Sequence, residues 1–194
     1  MANFKTRALT EETFAEIVTL IKNGFHDSLG HYRRPNEKIA TVLTLEANLG
    51  MRISDILQMR LNSIIRDGGR YRLDVIEQKT GKLREYTVPN EVYIYIQNYV
   101  LRNKILETGP LFDMTERQVQ KHLKYAVDKL GYPFISTHSF RKYFATSIYV
   151  NNNYNILLVK QLLQHASVST TQRYLTIGSA EVENALQKHV KIPD

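Results

Sequence analysis

The spacing of apolar residues along the chain predicts a mainly helical protein. Apolar side chains recur every three or four positions between residues 14 and 21, after Thr10, a typical helix N-cap, and before Gly24, which ends the segment. A loop is expected at residues 30–35 and a Ser/Thr-rich turn at residues 167–171. Thr137 is the candidate N-cap of a helix over residues 138–150. The same apolar spacing predicts further helices near residues 37–48, 54–59, 92–100, 119–130, 138–150, 156–163 and 182–189.

One segment has the alternating pattern of a β-hairpin. Tyr71, Leu73 and Val75 occupy every second position, which is the period of a half-buried strand. Residues 79–82 then form a turn with a lysine at each end, and residues 83–88 return as a second strand. We therefore expect a mainly α fold with a small antiparallel β-sheet (α+β). It should form a single domain over residues 1–194, with residues 1–9 as a leader.

The composition excludes several kinds of chemistry. The 194 residues include no cysteine, which rules out disulfides, thiolate metal sites and thiol nucleophiles. The chain has no apolar run near the ~20 residues of a membrane span, and its first residues lack the apolar stretch of a signal peptide. We therefore expect a cytoplasmic protein.

The charge balance favours a polyanionic partner. Twenty-six lysine and arginine residues against 19 acidic residues give a formal net charge of +7. A basic surface of this size suits nucleic acid. Many basic proteins have no such partner, so charge alone does not decide the function.

Four places in the chain put reactive polar side chains beside predicted turns or helix ends. Each has an ordinary structural explanation when it is taken alone: a surface arginine, a lysine that protects a sheet edge, or a histidine favoured by a helix dipole. The candidate residues are Arg52, Lys79, His138, Arg141, His165 and Tyr174.

The order of these residues and their neighbours resembles the tyrosine recombinase (phage integrase) family, in its catalytic domain. The matching strings are residues 49–57 (LGMRISDIL), 78–82 (QKTGK), 138–142 (HSFRK) and 162–174 (LLQHASVSTTQRY). The last string is the most specific, and the resemblance extends over about residues 8–188. Two positions depart from the family pattern, since Gln164 stands where glycine is usual and Asp55 where glutamate is frequent.

The resemblance implies an attack by the hydroxyl of Tyr174 on a DNA phosphodiester. This step gives a 3′-phosphotyrosyl intermediate and a free 5′-hydroxyl. Arg52 and Arg141 would hold the phosphate, because guanidinium groups bind phosphate oxygens in a bidentate manner and stay charged. Both arginines are expected at helix starts, where backbone N–H groups favour an anion.

The remaining residues have supporting roles by the same resemblance. His138 would accept the proton of the tyrosine, and Lys79, on the tip of the hairpin, would give a proton to the leaving oxygen. His165 would bond a non-bridging oxygen, and Asp55 would orient Arg52 or His138. The resemblance calls for no cofactor and no metal.

The family resemblance also implies partners. Double-stranded DNA is the substrate, and the core-binding domain that precedes the catalytic domain in the family is expected to be absent from this chain. Residues 179–189 resemble the C-terminal element that docks on the next protomer, which implies a homo-oligomer, a tetramer, on DNA. An ordinary core-capping helix is the alternative for that segment. Such a protein would work at the nucleoid, on DNA integration, excision or inversion by a mobile element.

Two other functions fit the same residues less well. One is a catalytically inactive DNA-binding regulator that keeps the fold, and the other is a type IB topoisomerase-like activity. The target DNA sequence has no recognisable signature in the chain.

Overall fold

The computed structural model describes residues 9–79, 81 and 83–175. The helix predicted at residues 182–189 lies outside these ranges. Within them, no helix is long and apolar enough to cross a membrane.

The described residues form eight α-helices, five short strands and one 3-10 turn, which confirms the mainly helical α+β class. The helices are α1 (Glu11–Asn23), α2 (Glu37–Leu49), α3 (Ile53–Leu57), α4 (Asn90–Asn103), α5 (Glu116–Leu130), α6 (Thr137–Asn151), α7 (Ile156–Leu163) and α8 (Val168–Gln172). The strands are β1 (Phe25–His26), β2 (Tyr32–Arg33), β3 (Ile64–Asp67), β4 (Arg70–Ile76) and β5 (Leu83–Val88).

The predicted hairpin is part of a three-stranded antiparallel sheet. The strand order is β3-β4-β5, and β4 pairs with β5 from Tyr71 opposite Val88 to Ile76 opposite Leu83. Strand β3 was not expected, because its four residues are too few to show an alternating pattern. Lys79 follows β4 and is exposed at the hairpin turn.

A second, two-stranded sheet stands where a loop was predicted. Strands β1 and β2 are two residues each, and the buried carboxylate of Asp27 holds the turn between them. This carboxylate accepts the backbone N–H groups of Leu29 (3.0 Å) and His31 (2.9 Å) and the Nε of Arg33 (2.9 Å). One satisfied acidic side chain therefore organises the segment.

Helix α2 runs through the centre of the core. It packs against α1, α3, α4 and α6, and each large apolar side chain that it buries contributes about 1.5–3 kcal/mol relative to exposure. Its buried apolar residues are Ile39, Ala40, Val42, Leu43, Leu45, Ala47 and Leu49.

Gly50 ends α2 in a conformation that only glycine adopts easily. Its φ of 56° and ψ of 23° are left-handed, and a Cβ at this position would lie 2.2 Å from Cδ1 of Phe144. The close approach of α6 to this turn therefore requires glycine. The turn delivers Arg52 to the N-cap position of α3.

Two local predictions differ from the structure. The N-cap of helix α6 is Ser136, whose backbone N–H donates to Oγ of Ser139 at 3.2 Å and whose carbonyl accepts the N–H of Ser139, so that Thr137 is already helical. The Ser/Thr-rich turn is the short helix α8, capped by Ser167, whose Oγ accepts the N–H of Thr170 at 3.2 Å.

Candidate active site

A cavity of about 640 Å³ opens between the hairpin and helices α2, α3, α5, α6 and α8. Five of the six candidate residues lie on its wall, although they come from distant parts of the chain. They are Arg52, Lys79, His138, His165 and Tyr174.

Two buried carboxylates hold Arg52. Its guanidinium donates to Glu77, and its Nη1 lies 3.8 Å from Oδ2 of Asp55. Both acidic residues are almost fully buried, and Oδ1 of Asp55 also accepts the backbone N–H of Gln78 at 2.9 Å. Buried carboxylates are stable only when paired, so Arg52 and the end of β4 hold each other in place.

Glu77 was missed in the sequence. Its position two residues before Lys79 only weakly indicates a role in the site. Its partner Arg52 lies 25 positions away, so their contact leaves no local pattern in the sequence.

Arg141 lies just behind the cavity wall, fully buried. Its Nη1 donates to the carbonyl of Gly50 (2.7 Å), its Nη2 donates to the carbonyl of Leu163 (3.0 Å), and Nη2 lies 3.4 Å from Nε2 of His165. Arg141 is the fifth residue of α6, so it lies beyond the first turn, and the expectation that it stands at the helix start is wrong. The guanidinium joins the C-terminal ends of α2 and α7.

His165 is oriented by contacts on both ring nitrogens. Nδ1 lies 3.0 Å from Oγ1 of Thr171, and Nε2 faces Arg141. Because a guanidinium only donates, this geometry suits the tautomer that accepts from Arg141 at Nε2 and donates to Thr171 from Nδ1. Thr171 was missed in the sequence, where it is one of several similar hydroxyl residues in the segment 167–171.

The ring of Tyr174 lies between the two histidines. Its centroid is 4.8 Å from that of His138 and 4.7 Å from that of His165. The guanidinium carbon of Arg141 lies 5.7 Å from the centre of the same ring. The phenol of Tyr174 therefore has two imidazoles and a permanent cation close to it.

His138 is neutral at pH 7. The residue is exposed at the surface, and the atoms around its ring desolvate the ring in part. This desolvation, followed by the positive charges of Arg141, Lys142, Arg52 and Lys79, lowers the pKa of His138 to about 4. The neutral ring can accept a proton or a hydrogen bond.

Glu46 is a buried acid in the wall of the same cavity, on an otherwise apolar part of α2. Burial raises its pKa well above the ordinary value, the charge of Arg141 opposes this effect, and Glu116 adds to it. The protonated form adds no negative charge to the cavity. The sequence around Glu46 did not predict that this residue is buried in the cavity wall.

In the described part of the chain, no group of three or more histidine, cysteine, aspartate or glutamate side chains is placed to hold a metal ion.

The fold and the cavity define a catalytic domain of the tyrosine recombinase type. The model of the phage integrase family matches residues 8–180. The chain belongs to the phage integrase family, which confirms the resemblance found in the sequence.

Curated relatives are tyrosine recombinases. XerA of Pyrococcus furiosus is 26% identical over 193 residues, which cover 94% of this chain and 61% of that protein. XerC of Caldanaerobacter subterraneus subsp. tengcongensis is 29% identical over 166 residues, which cover 79% and 45%. The chain therefore spans about half to three-fifths of the length of these relatives.

Solved structures share the fold. A XerH site-specific recombinase bound to a palindromic difH substrate in a post-cleavage complex has a TM-score of 0.74 at 17% identity, over 96% of this chain and 54% of that one. The catalytic domain of bacteriophage HP1 integrase has a TM-score of 0.64 at 18% identity, over 95% of both chains.

Proposed function

We propose that this chain is the catalytic part of a site-specific DNA recombinase, which cleaves and rejoins DNA strands through a 3′-phosphotyrosyl intermediate. The observation that carries the proposal is the position of Tyr174. Its ring lies within 5 Å of the rings of His138 and His165, beside Arg141, in a chain of the phage integrase family.

The proposed step transfers a phosphodiester from DNA to the protein. The phenolic oxygen of Tyr174 forms a bond to phosphorus, and the bond to the 5′-oxygen breaks. The phenolic proton goes to the neutral ring of His138, and the leaving oxygen takes a proton from Lys79. Attack by a 5′-hydroxyl reverses the step and rejoins a strand, so the number of phosphodiester bonds is conserved.

Positive charge stabilises the transition state, which carries extra negative charge on the non-bridging oxygens. Arg52 is held for this purpose by Glu77 and Asp55. His165 lies on the cavity wall and contacts the fully buried Arg141 behind it, so a phosphate in the cavity would meet His165 directly and would be stabilised by the positive charge of Arg141 from behind. Such preorganised donors are usually the largest contribution to catalysis.

Covalent trapping tests the nucleophile. A nicked suicide duplex with randomised flanks should give a protein–DNA adduct on a denaturing gel with the wild type, and sequencing of the trapped DNA should give the target site. Tyr174→Phe should abolish the adduct and leave DNA binding intact, since only one hydroxyl is removed. Tyr154→Phe is the matched control, because Tyr154 is exposed and lies outside the cavity wall. An undiminished adduct in Tyr174→Phe would exclude this nucleophile.

The same assay separates the alternatives. A wild-type chain that binds DNA and forms no adduct would be an inactive regulator. Relaxation of supercoiled DNA without preference for a sequence would indicate topoisomerase activity. The family membership of the chain favours the recombinase over both.

Double-stranded DNA as partner is supported by the net charge of +7 and by the cationic residues around the cavity. The same proposal includes three further points. Residues 1–194 act as one catalytic domain, residues 179–189 hold a tetramer on DNA, and the protein works at the nucleoid. Removal of residues 179–194 should reduce the size of the protein–DNA complex measured by multi-angle light scattering, without loss of adduct formation. An unchanged size would assign that segment to the core.

A further inference from the structure

Gln164 adopts a backbone conformation that favours glycine. It is the C-cap of α7, with a φ of 54° and a ψ of 38°. Its backbone N–H donates to the carbonyl of Gln161 at 3.0 Å, which closes the helix, and the next residue is His165. A side chain is strained in this left-handed region and glycine is not, so the glutamine side chain is expected to have a use of its own.

The side chain of Gln164 reaches the hairpin. Its Nε2 donates to the carbonyl of Leu83 at 2.8 Å. Leu83 is the first residue of β5 and pairs with Ile76, the last residue of β4. The hydrogen bond therefore joins the base of the hairpin that carries Lys79 to the turn that carries His165.

This contact is not part of a packed core. A groove of about 450 Å³ lies between α7 and β5, with Gln164 and His165 on its wall. Leu83 and Leu157 also line the groove, and they are 46% and 64% exposed. Apolar packing is therefore weak at this junction, and a single hydrogen bond has a large share in fixing the distance between the two segments.

We propose that Gln164 is a positioning residue that holds the Lys79 hairpin against the His165 turn, so that the proton donor stays within reach of the leaving oxygen. This inference rests on the proposed function, in which Lys79 is the general acid. Lys79 itself is exposed at the turn, four positions before Leu83, so the base of the hairpin is the place where its motion can be limited.

The central experiment compares two DNA substrates with Gln164→Gly. The first is the trapped target duplex, and the second has sulfur in place of the 5′-bridging oxygen at the scissile phosphate. A thiolate leaves without a proton, so the second substrate does not need the general acid. With the first substrate, we expect Gln164→Gly to lower the single-turnover cleavage rate by about 3- to 10-fold, the effect of losing one hydrogen bond. With the sulfur substrate, we expect the wild-type rate.

The melting temperature is a second readout, because it would fall if Gln164 served only to stabilise the fold. Gln164→Gly relieves the left-handed strain while it removes the hydrogen bond, so its melting temperature should stay within about 3 °C of the wild type. Gln164→Asn keeps an amide, tolerates the left-handed region and is one methylene too short, so it should share the cleavage defect and the sulfur rescue. Gln161→Ala is the matched control, because Gln161 is exposed in the same groove. This variant should cleave the first substrate at the wild-type rate.

Lys79→Ala separates the failure of this inference from the failure of the proposed function. If the sulfur substrate does not rescue Lys79→Ala, Lys79 is not the general acid and both proposals are overturned at that residue. If the sulfur substrate rescues Lys79→Ala and not Gln164→Gly, only the role of Gln164 is overturned. A wild-type rate for Gln164→Gly on the first substrate has the same meaning.

Discussion

Gly50→Ala tests how crowded the turn before Arg52 is. Alanine would have to adopt the left-handed φ of 56°, and its Cβ would lie 2.2 Å from Cδ1 and 2.4 Å from Cε1 of Phe144. The left-handed conformation costs about 1–2 kcal/mol for an L-residue, and overpacking in a core costs about 1–3 kcal/mol. We expect the free energy of unfolding to fall by about 2–5 kcal/mol.

Urea denaturation followed by circular dichroism measures this change. With a slope of about 2 kcal/mol/M, the unfolding midpoint of Gly50→Ala should fall by about 1–2.5 M. Phe144→Ala removes the ring that the new Cβ meets. In that background, Gly50→Ala should cost only the conformational part, about 1–2 kcal/mol.

Two results would refute this reasoning. A change below about 0.5 kcal/mol for Gly50→Ala would mean that the turn is free to rearrange. An equal cost of Gly50→Ala with and without the ring of Phe144 would mean that the predicted clash does not exist. In either case, the inference that the approach of α6 requires glycine at position 50 would be wrong.

Three further predictions concern charged and titrating groups. Glu46→Gln should be as stable as the wild type near pH 4 and increasingly more stable above pH 4.5, because the unfolded chain then ionises Glu46 while the folded chain keeps it protonated; parallel pH–stability curves would contradict its raised pKa. In NMR titrations of the free protein, the pKa of His138 should be found near 4, and a midpoint near 6.5 would contradict the lowering of this pKa by partial desolvation and by the positive charges nearby. Glu77→Gln should lower the free energy of unfolding by about 1.5–3 kcal/mol, the range for a hydrogen bond between charged groups, because Arg52 loses a buried partner. Glu85 is the control, because it forms an exposed ion pair with Arg72, with 3.9 Å between Oε1 and Nη1. An equal loss of stability in Glu85→Gln would count against the Arg52 contact.

The helices were predictable because their signals are local. Thr10 and Gly24 bracket α1 as expected, and Gly131 ends α5 in a left-handed conformation. The strands β1 and β2 were not predictable, since two residues have no period and the carboxylate of Asp27 organises them through its own hydrogen bonds. Short elements held by one side chain are invisible to pattern analysis.

The site was predictable only in part, for the same physical reason. The spacing of His165 and Tyr174 is local and specific, and the structure brings their rings together. The partner of Glu77 lies 25 positions away and the partner of Gln164 lies 81 positions away. Contacts between such distant residues depend on how helices and strands assemble, which the spacing of residues along one segment does not report.

The burial of Arg141 decides how an inert form of this protein can be made. A shorter side chain there would take the donor away from the carbonyls of Gly50 and Leu163, so catalysis and folding would be lost together. The phenolic oxygen of Tyr174 can be removed without emptying any space in the core. A chain silenced by that single atom should still occupy its DNA sites, and it could serve as a capture reagent for mapping them along a genome.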